Sequence, residues 1–105
     1  MSEYKIKFTK STIKDIEASK IWYNNKQDFL GEDFISEIFD FVNKIENDIV
    51  DYPIRYSSIV RKINLQRFPY SIFFSKNPDK KLIIIYAVLH HKRDIHQFIS
   101  RFPKE

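Results

Sequence analysis

Apolar residues in the first quarter of the chain follow two periods, which predict a strand and then a helix. Residues 3–8 alternate between charged and apolar side chains, as in a half-buried strand. Thr9, Ser11 and Thr12 come next, and each hydroxyl is a candidate N-cap for a helix that should run to about Lys26. The residues expected to face the core from this helix are Ile13, Ile16, Trp22 and Tyr23, with Ile21 as a further candidate.

A second helix is predicted after the segment QDFLGED. This segment holds the only glycine of the chain, Gly31, and indicates a tight turn. The second helix should end near Tyr52, because Pro53 disfavours helical geometry in the residue before it. Two helices joined by so short a turn should pack as an antiparallel hairpin. The apolar stripe of this helix consists of Phe34, Ile38, Val42, Ile45 and Ile49, widened by Ile35, Phe39 and Phe41.

The second half of the chain changes to the pattern of strands. Three strands are expected, over residues 60–68, 70–76 and 81–90. NPD at 77–79 predicts a hairpin turn between the last two, and Pro69 separates the first two. The last strand contains LIIIYAVL, which is apolar on both faces and is typical of the middle of a covered sheet. Ile95 to Arg101 can add a short terminal helix that docks through Phe98, Ile99 and Phe102.

The element order β-α-α-β-β-β predicts an α+β fold. We expect a helical hairpin packed on one face of a mostly antiparallel, curved sheet of about four strands, which the N-terminal strand completes. The length of 105 residues and a hydrophobic content of 43% suit one domain that spans the whole chain.

Charge is divided unevenly between the two halves of the chain. Residues 1–52 carry 7 Lys and 11 acidic residues, a net charge of −4, whereas residues 53–105 carry 11 basic and 3 acidic residues, a net charge of +8. All arginines and histidines lie in the second half. This asymmetry indicates an electropositive surface for an anionic partner, either nucleic acid or an acidic protein segment. The alternative is a solvated face that only keeps the protein in solution.

Composition also argues against several classes of site. Without cysteine the chain has no disulfide or thiol nucleophile, which suits a reducing cytosol. The N-terminus lacks a signal-peptide pattern, and no stretch approaches the roughly 18 apolar residues of a membrane span. Three histidines without paired helical spacing argue against a metal site. We therefore expect a cytoplasmic protein with no metal, cofactor or membrane contact.

Two motifs carry a resemblance to a known family. They are RFPY at 67–70, followed by a phenylalanine-rich strand, and AVLHHKR at 87–93. With the order of the preceding elements, the chain from about Tyr4 to Asp94 resembles the RelE/ParE toxins of bacterial type II toxin–antitoxin systems, and more narrowly their ParE-like plasmid-stabilisation branch. The resemblance implies the same helical hairpin on a curved antiparallel sheet.

The resemblance implies one of two activities. ParE-type members poison DNA gyrase by binding it, and we favour this reading because no complete acid–base set is evident. RelE-type members are similar to metal-independent ribonucleases that cut mRNA on the ribosome, using clustered Lys and Arg with a Tyr or His. A third reading is an inactive member that only pairs with its antitoxin and represses transcription with it. In each case the implied partner is a cognate antitoxin encoded nearby, with operator DNA contacted only through that complex.

The candidate site residues lie around the end of the last strand and on the strand over 60–68. His90 and His91 would point to opposite faces if the strand continued through both. Arg93 is the better candidate for holding phosphate or carboxylate. Alternation places Arg61 and Arg67 on the helix-facing side of their strand, opposite Lys62.

Two residue sets follow from these candidates. A surface for the target or the antitoxin would consist of Arg93, Lys92, Arg61, Arg67 and Lys62. A nuclease would use His90, His91, Arg61, Lys62, Arg67 and Arg93. We interpret Phe68, Pro69 and Tyr70 as structural, and Trp22 and Tyr23 as aromatic residues of the core or the hairpin interface.

Overall fold

The computed structural model describes residues 4–47 and 59–103. The elements are β1 (Lys5–Phe8), α1 (Lys10–Lys26), α2 (Leu30–Asn47), β2 (Arg61–Asn64), β3 (Tyr70–Asn77), β4 (Leu82–His90), and two short 3-10 turns at Ile95–Gln97 and Ile99–Arg101. The sheet has the order β1-β4-β3-β2, with β3 antiparallel to both β2 and β4, and β1 parallel to β4. The predicted α+β fold and the completion of the sheet by the N-terminal strand are confirmed.

Of the three candidate caps, Thr9 begins α1. Its Oγ1 accepts a hydrogen bond from the Thr12 amide at 3.2 Å, which satisfies one of the free N–H groups of the first turn. The hydroxyl of Thr12 is fully buried and donates to the carbonyl of Ile85 at 2.9 Å. The start of the helix is therefore fixed directly to the central strand β4.

The core-facing side predicted for α1 is partly wrong. Tyr23 is buried and Ile16 packs against the core, but Ile13, Ile21 and Trp22 are 44%, 62% and 54% exposed. The reason is that polar side chains occupy the side turned to the sheet. Thr12 bonds to Ile85, Asp15 accepts from the Val88 amide at 3.4 Å, and Ser19 accepts from the Tyr70 hydroxyl at 3.1 Å.

Gly31 lies in the first turn of α2 and not in the turn before it, so its predicted role is also wrong. A Cβ at Gly31 would lie 2.4 Å from the carbonyl oxygen of Lys20, which shows that the glycine lets the two helices approach closely. The turn instead uses the exposed Phe29, with φ at 66°. The amide of Gly31 donates to Asn24 Oδ1 at 2.7 Å.

The apolar stripe of α2 packs largely as predicted. Phe41 joins the stripe in the core, whereas Phe39 is exposed. The predicted stripe residue Ile49, and the predicted helix end at Tyr52 and Pro53, lie outside the described residues. The buried stripe residues are Phe34, Ile38, Val42 and Ile45.

Strand β2 is shorter than the predicted 60–68, because the chain bends after Asn64. The carboxylate of Glu37, buried on α2, accepts from the Arg67 amide at 2.9 and 3.2 Å. The Leu65 amide donates to the Tyr70 carbonyl at 2.9 Å. These bonds satisfy the backbone of the bend, which therefore needs no further strand pairing.

The sheet is covered on both faces, which confirms the interpretation of LIIIYAVL. One core lies under the helices and the other under the C-terminal segment. Phe98 and Phe102 dock as predicted, but Ile99 is exposed. Arg101 ties this segment to α1 through two bonds to the Asp15 carboxylate, at 2.6 and 3.1 Å. The second core contains Val60, Phe73, Tyr86, Ala87, Leu89, Phe98 and Phe102.

Candidate functional site

A cleft of about 290 Å³ opens beside the end of β4, on the sheet face opposite the helices. We call it the basic cleft. Antiparallel pairing assembles it, since Asn64 lies opposite Ser71, and Ser71 lies opposite Leu89. Ser71 donates a hydrogen bond to Asn64 Oδ1 at 2.6 Å, which fixes the polar floor. The lining residues are Lys62, Asn64, Ser71, Phe73, Leu89, His90, His91, Arg93 and Ile95.

The cations of the basic cleft rest on aromatic rings. Lys62 Nζ lies 6.0 Å from the ring centre of Phe73, and the guanidinium carbon of Arg93 lies 4.8 Å from that of Phe98. Among the described residues neither cation forms an ion pair, and no carboxylate lines the cleft. The neighbouring Asp94 carboxylate accepts from the His96 amide at 3.0 Å. The basic cleft therefore presents positive charge suited to an anion.

Both histidines line the basic cleft because β4 ends at His90 and a turn follows. The Arg93 amide donates to the His90 carbonyl at 3.0 Å, and the His91 amide donates to the Pro69 carbonyl at 2.8 Å. The opposite-face arrangement expected for an uninterrupted strand therefore does not arise.

The imidazole of His90 is held in a defined orientation. Its Nδ1 accepts from the Lys92 amide at 3.0 Å, and its ring packs edge-on against Tyr70 at 5.2 Å. Burial lowers the pKa of His90 below the ordinary value of 6.5, and the charges of Lys92 and His91 lower that pKa further. The neutral form of His90 is therefore favoured in the folded protein.

The remaining predicted residues do not line the basic cleft. Arg67 is exposed and lies 3.6 Å from the Asp33 carboxylate, on the helix side of the sheet. Arg61 lies opposite Phe74, a residue of the helix-side core. Lys92 contributes its backbone amide to His90. The structure thus brings Lys62, His90, His91 and Arg93 together and places Arg61, Arg67 and Lys92 elsewhere.

A second cleft, of about 480 Å³, lies between α1 and the start of β3. We call it the aromatic cleft. Trp22 forms part of its wall and is more than half exposed, so its assignment to the core is wrong. The sequence pattern did not predict this cleft. The spacing of Thr12, Ser19 and Tyr23 places them together on one side of α1, and Trp22 lies outside that side. The lining residues are Ala18, Ser19, Trp22, Tyr23, Pro69, Tyr70 and His90.

Tyr23 acts as a neutral structural residue of the aromatic cleft. Burial raises the pKa of its hydroxyl to about 12, and the neighbouring Tyr70 adds to the rise. Trp22 packs edge-on against Tyr23 at 5.0 Å, and Lys26 Nζ lies 4.8 Å from the Trp22 ring centre. The aromatic cleft therefore offers mainly apolar contact area, with His90 at one side of it.

Residues 4–47 and 59–103 contain neither a metal-ligand cluster nor a membrane-spanning helix. Within these ranges no group of three or more His, Cys, Asp or Glu side chains is placed to hold a metal ion. The helices described there are too short or too polar to cross a membrane.

Comparisons with known proteins match most of the chain. A family model for the ParE toxin of the type II toxin–antitoxin system, parDE, matches residues 6–95. This range contains both helices and every residue that lines the basic cleft. A solved structure titled "Chromosomal ParDE TA system from P. aeruginosa" is similar, with a TM-score of 0.66 and 21% identity over 83% of this chain and 95% of that chain. At this identity it shows the fold alone. No curated protein matches the sequence.

Proposed function

Because the chain belongs to the ParE toxin family of type II toxin–antitoxin systems, we propose that it stops bacterial growth by binding DNA gyrase in the cytoplasm. A cognate antitoxin neutralises it. The observation that carries this proposal is the family match over residues 6–95, which includes the candidate site.

The chemistry of the basic cleft supports a binding role. Lys62 and Arg93 can hold an anionic group on a partner, since neither is neutralised by a carboxylate of the described chain. An acidic segment of the antitoxin would compete for the same cations. Electrostatic attraction of this kind speeds association and selects between partners.

Proton transfer is less well supported. Cleavage of RNA requires a base, an acid and cations around the phosphate. His90 already uses Nδ1 to accept from the Lys92 amide, and the hydroxyl of Tyr70 donates to Ser19 on the other side of the sheet edge. These bonds engage two of the groups that could move a proton.

A metal-independent mRNA endoribonuclease of the RelE type is the second candidate. The observation in its favour is that His90, His91, Lys62 and Arg93 line one cleft.

Induction of the protein without its antitoxin separates these functions. We expect growth arrest, loss of supercoiling by purified gyrase, and intact cellular mRNA. Cleavage of mRNA on induction of the wild type, with intact mRNA on induction of His90→Ala or His91→Ala, would establish the nuclease instead. Normal growth would leave only the role of antitoxin partner and co-repressor. A neighbouring reading frame that encodes a DNA-binding protein with a flexible tail would identify the antitoxin.

A further inference from the structure

The basic cleft and the aromatic cleft share one wall, the imidazole of His90. On one side of this wall lie Lys62 and Arg93. On the other side lie Trp22 and Pro69, both exposed and apolar. One ligand can therefore cross His90 and meet two different chemistries in succession.

Positive charge does not continue across the wall. Four cations outside the basic cleft are close in sequence to residues of the aromatic cleft, and none of them lines it. One of them, Lys92, is exposed in the turn after His90. Lys20 is paired with Glu32 and Arg67 with Asp33, each at 3.6 Å. Lys26 lies over the Trp22 ring. The basic cleft is therefore lined by two cations, Lys62 and Arg93, and the aromatic cleft by none.

This difference in lining cations distinguishes between two classes of anionic ligand. A nucleic acid strand carries a phosphate on every nucleotide and is bound along a continuous basic track. A strand that crossed His90 would place phosphates beside an apolar wall. A protein segment can instead carry a carboxylate at one end and an apolar side chain at the other, which matches both clefts.

We infer that the two clefts together dock one segment of the target protein, with a carboxylate in the basic cleft and a bulky apolar side chain in the aromatic cleft. This inference rests on the proposed function, because it identifies the surface by which the toxin holds gyrase. Arg93 can pair with the carboxylate through two parallel N–H bonds, and Asn64 and Ser71 offer polar contacts beside it.

Trp22 supplies the anchor for the apolar side chain. A tryptophan buried on binding commonly contributes a large share of the affinity of a protein interface. Burial lowers the pKa of His90, and the charges of Lys92 and His91 lower that pKa further, so His90 lies beside positive charge. A carboxylate bound beside His90 would raise that pKa toward its ordinary value.

A peptide titration tests the docking surface without gyrase. The probes are acetyl-Glu-Asp-Gly-Leu-Phe-amide, the same peptide with Ser-Ser in place of Leu-Phe, and octathymidylate. NMR follows the indole N–H of Trp22, the only tryptophan in the chain, and the amides of His91 and Arg93. We expect the first peptide to shift both sets of signals and to bind about fivefold or more tighter than its serine control. Shifts in only one cleft, no shifts, or tighter binding of octathymidylate would overturn the inference.

Gyrase supercoiling measured with variants then tests the surface in the toxin itself. We expect Trp22→Ala and the double variant Lys62→Ala/Arg93→Ala each to raise the inhibitory concentration about tenfold or more. The matched controls are Ile21→Ala, at an exposed neighbour on α1, and Lys80→Ala, at an exposed cation in the turn before β4. Both controls should inhibit like the wild type.

The two experiments separate failure of the inference from failure of the proposed function. Wild-type protein that leaves gyrase active, while the peptide shifts both clefts, refutes the gyrase target and retains the docking surface. Inhibition that is unchanged in Trp22→Ala and in Lys62→Ala/Arg93→Ala refutes the docking surface and retains the gyrase target. Circular dichroism of each variant confirms that it is folded.

Discussion

Gly31→Ala should destabilise the protein, although the same change in most helices does the opposite. The backbone of Gly31 is helical and has no positive φ, so alanine would by itself favour the helix by about 0.5–1 kcal/mol. The added Cβ, however, would lie 2.4 Å from the carbonyl oxygen of Lys20 and 2.8 Å from the side chain of Asn24. The sign of the effect therefore depends on the contact between the helices.

The magnitude follows from which atoms can move. Ordinary contact of a Cβ begins at 3.4 Å, so the two helices would have to separate by about 1 Å at this point. Asn24 can rotate its side chain, at the cost of its bond to the Gly31 amide, but the Lys20 oxygen belongs to the backbone. Such overpacking costs about 1–3 kcal/mol. Subtracting the helix term leaves a net loss centred on about 1 kcal/mol and reaching about 2.5 kcal/mol.

Thermal and urea unfolding measure this loss. A domain of this size should lose about 5–15 °C in melting temperature. Ser36→Ala, at an exposed position of the same helix, is the control and should change the free energy of unfolding by less than about 0.5 kcal/mol. A Gly31→Ala protein as stable as the wild type, or more stable, would refute the reasoning about the helix contact.

Three further predictions concern the N-cap, the C-terminal segment and His90. Thr9→Ala should lower the free energy of unfolding by about 1 kcal/mol in urea, whereas Thr9→Ser should retain the cap. Arg101→Ala should lower the free energy of unfolding by about 1–3 kcal/mol, because it leaves the half-buried Asp15 carboxylate without its ion pair. It should also speed amide hydrogen exchange at Phe98, and unchanged exchange would contradict this prediction. The folded-state pKa of His90 is lowered, so its contribution to the free energy of unfolding is present above pH 6.5 and is lost as the pH falls through the folded pKa. NMR titration of His90 measures this pKa. Urea unfolding of His90→Asn, which should lose that pH dependence of stability, checks the sign.

The order of the elements could be predicted because local signals determine it. The Thr9 hydroxyl and the helical period predict α1, and the change to a strand-like pattern after Pro53 predicts the sheet. The face of α1 could not be predicted in the same way. Thr12 bonds to a carbonyl 73 residues away in the chain, and a hydropathy pattern cannot show that a polar residue has such a partner.

The candidate site depends on strand ends, which sequence patterns locate poorly. Lys62, His90, His91 and Arg93 were recognised as candidates, but their grouping requires the register of three strands and the turn after His90. The helical pattern predicts Trp22 in the core or at the hairpin interface, yet it is 54% exposed. Its exposure follows from the polar contacts of its helix.

The attachment of α1 to β4 has a consequence for how other chains can pair with the sheet. Strand β1 accompanies β4 only from Leu82 to Ile85. Beyond that point side chains of α1 cover the backbone of β4, with Thr12 on the Ile85 carbonyl and Asp15 on the Val88 amide. An inward-pointing carboxylate at a strand edge blocks the addition of another strand. β-Augmentation by a second polypeptide is therefore directed away from this stretch of β4 and toward the outer edges of β1 and β2.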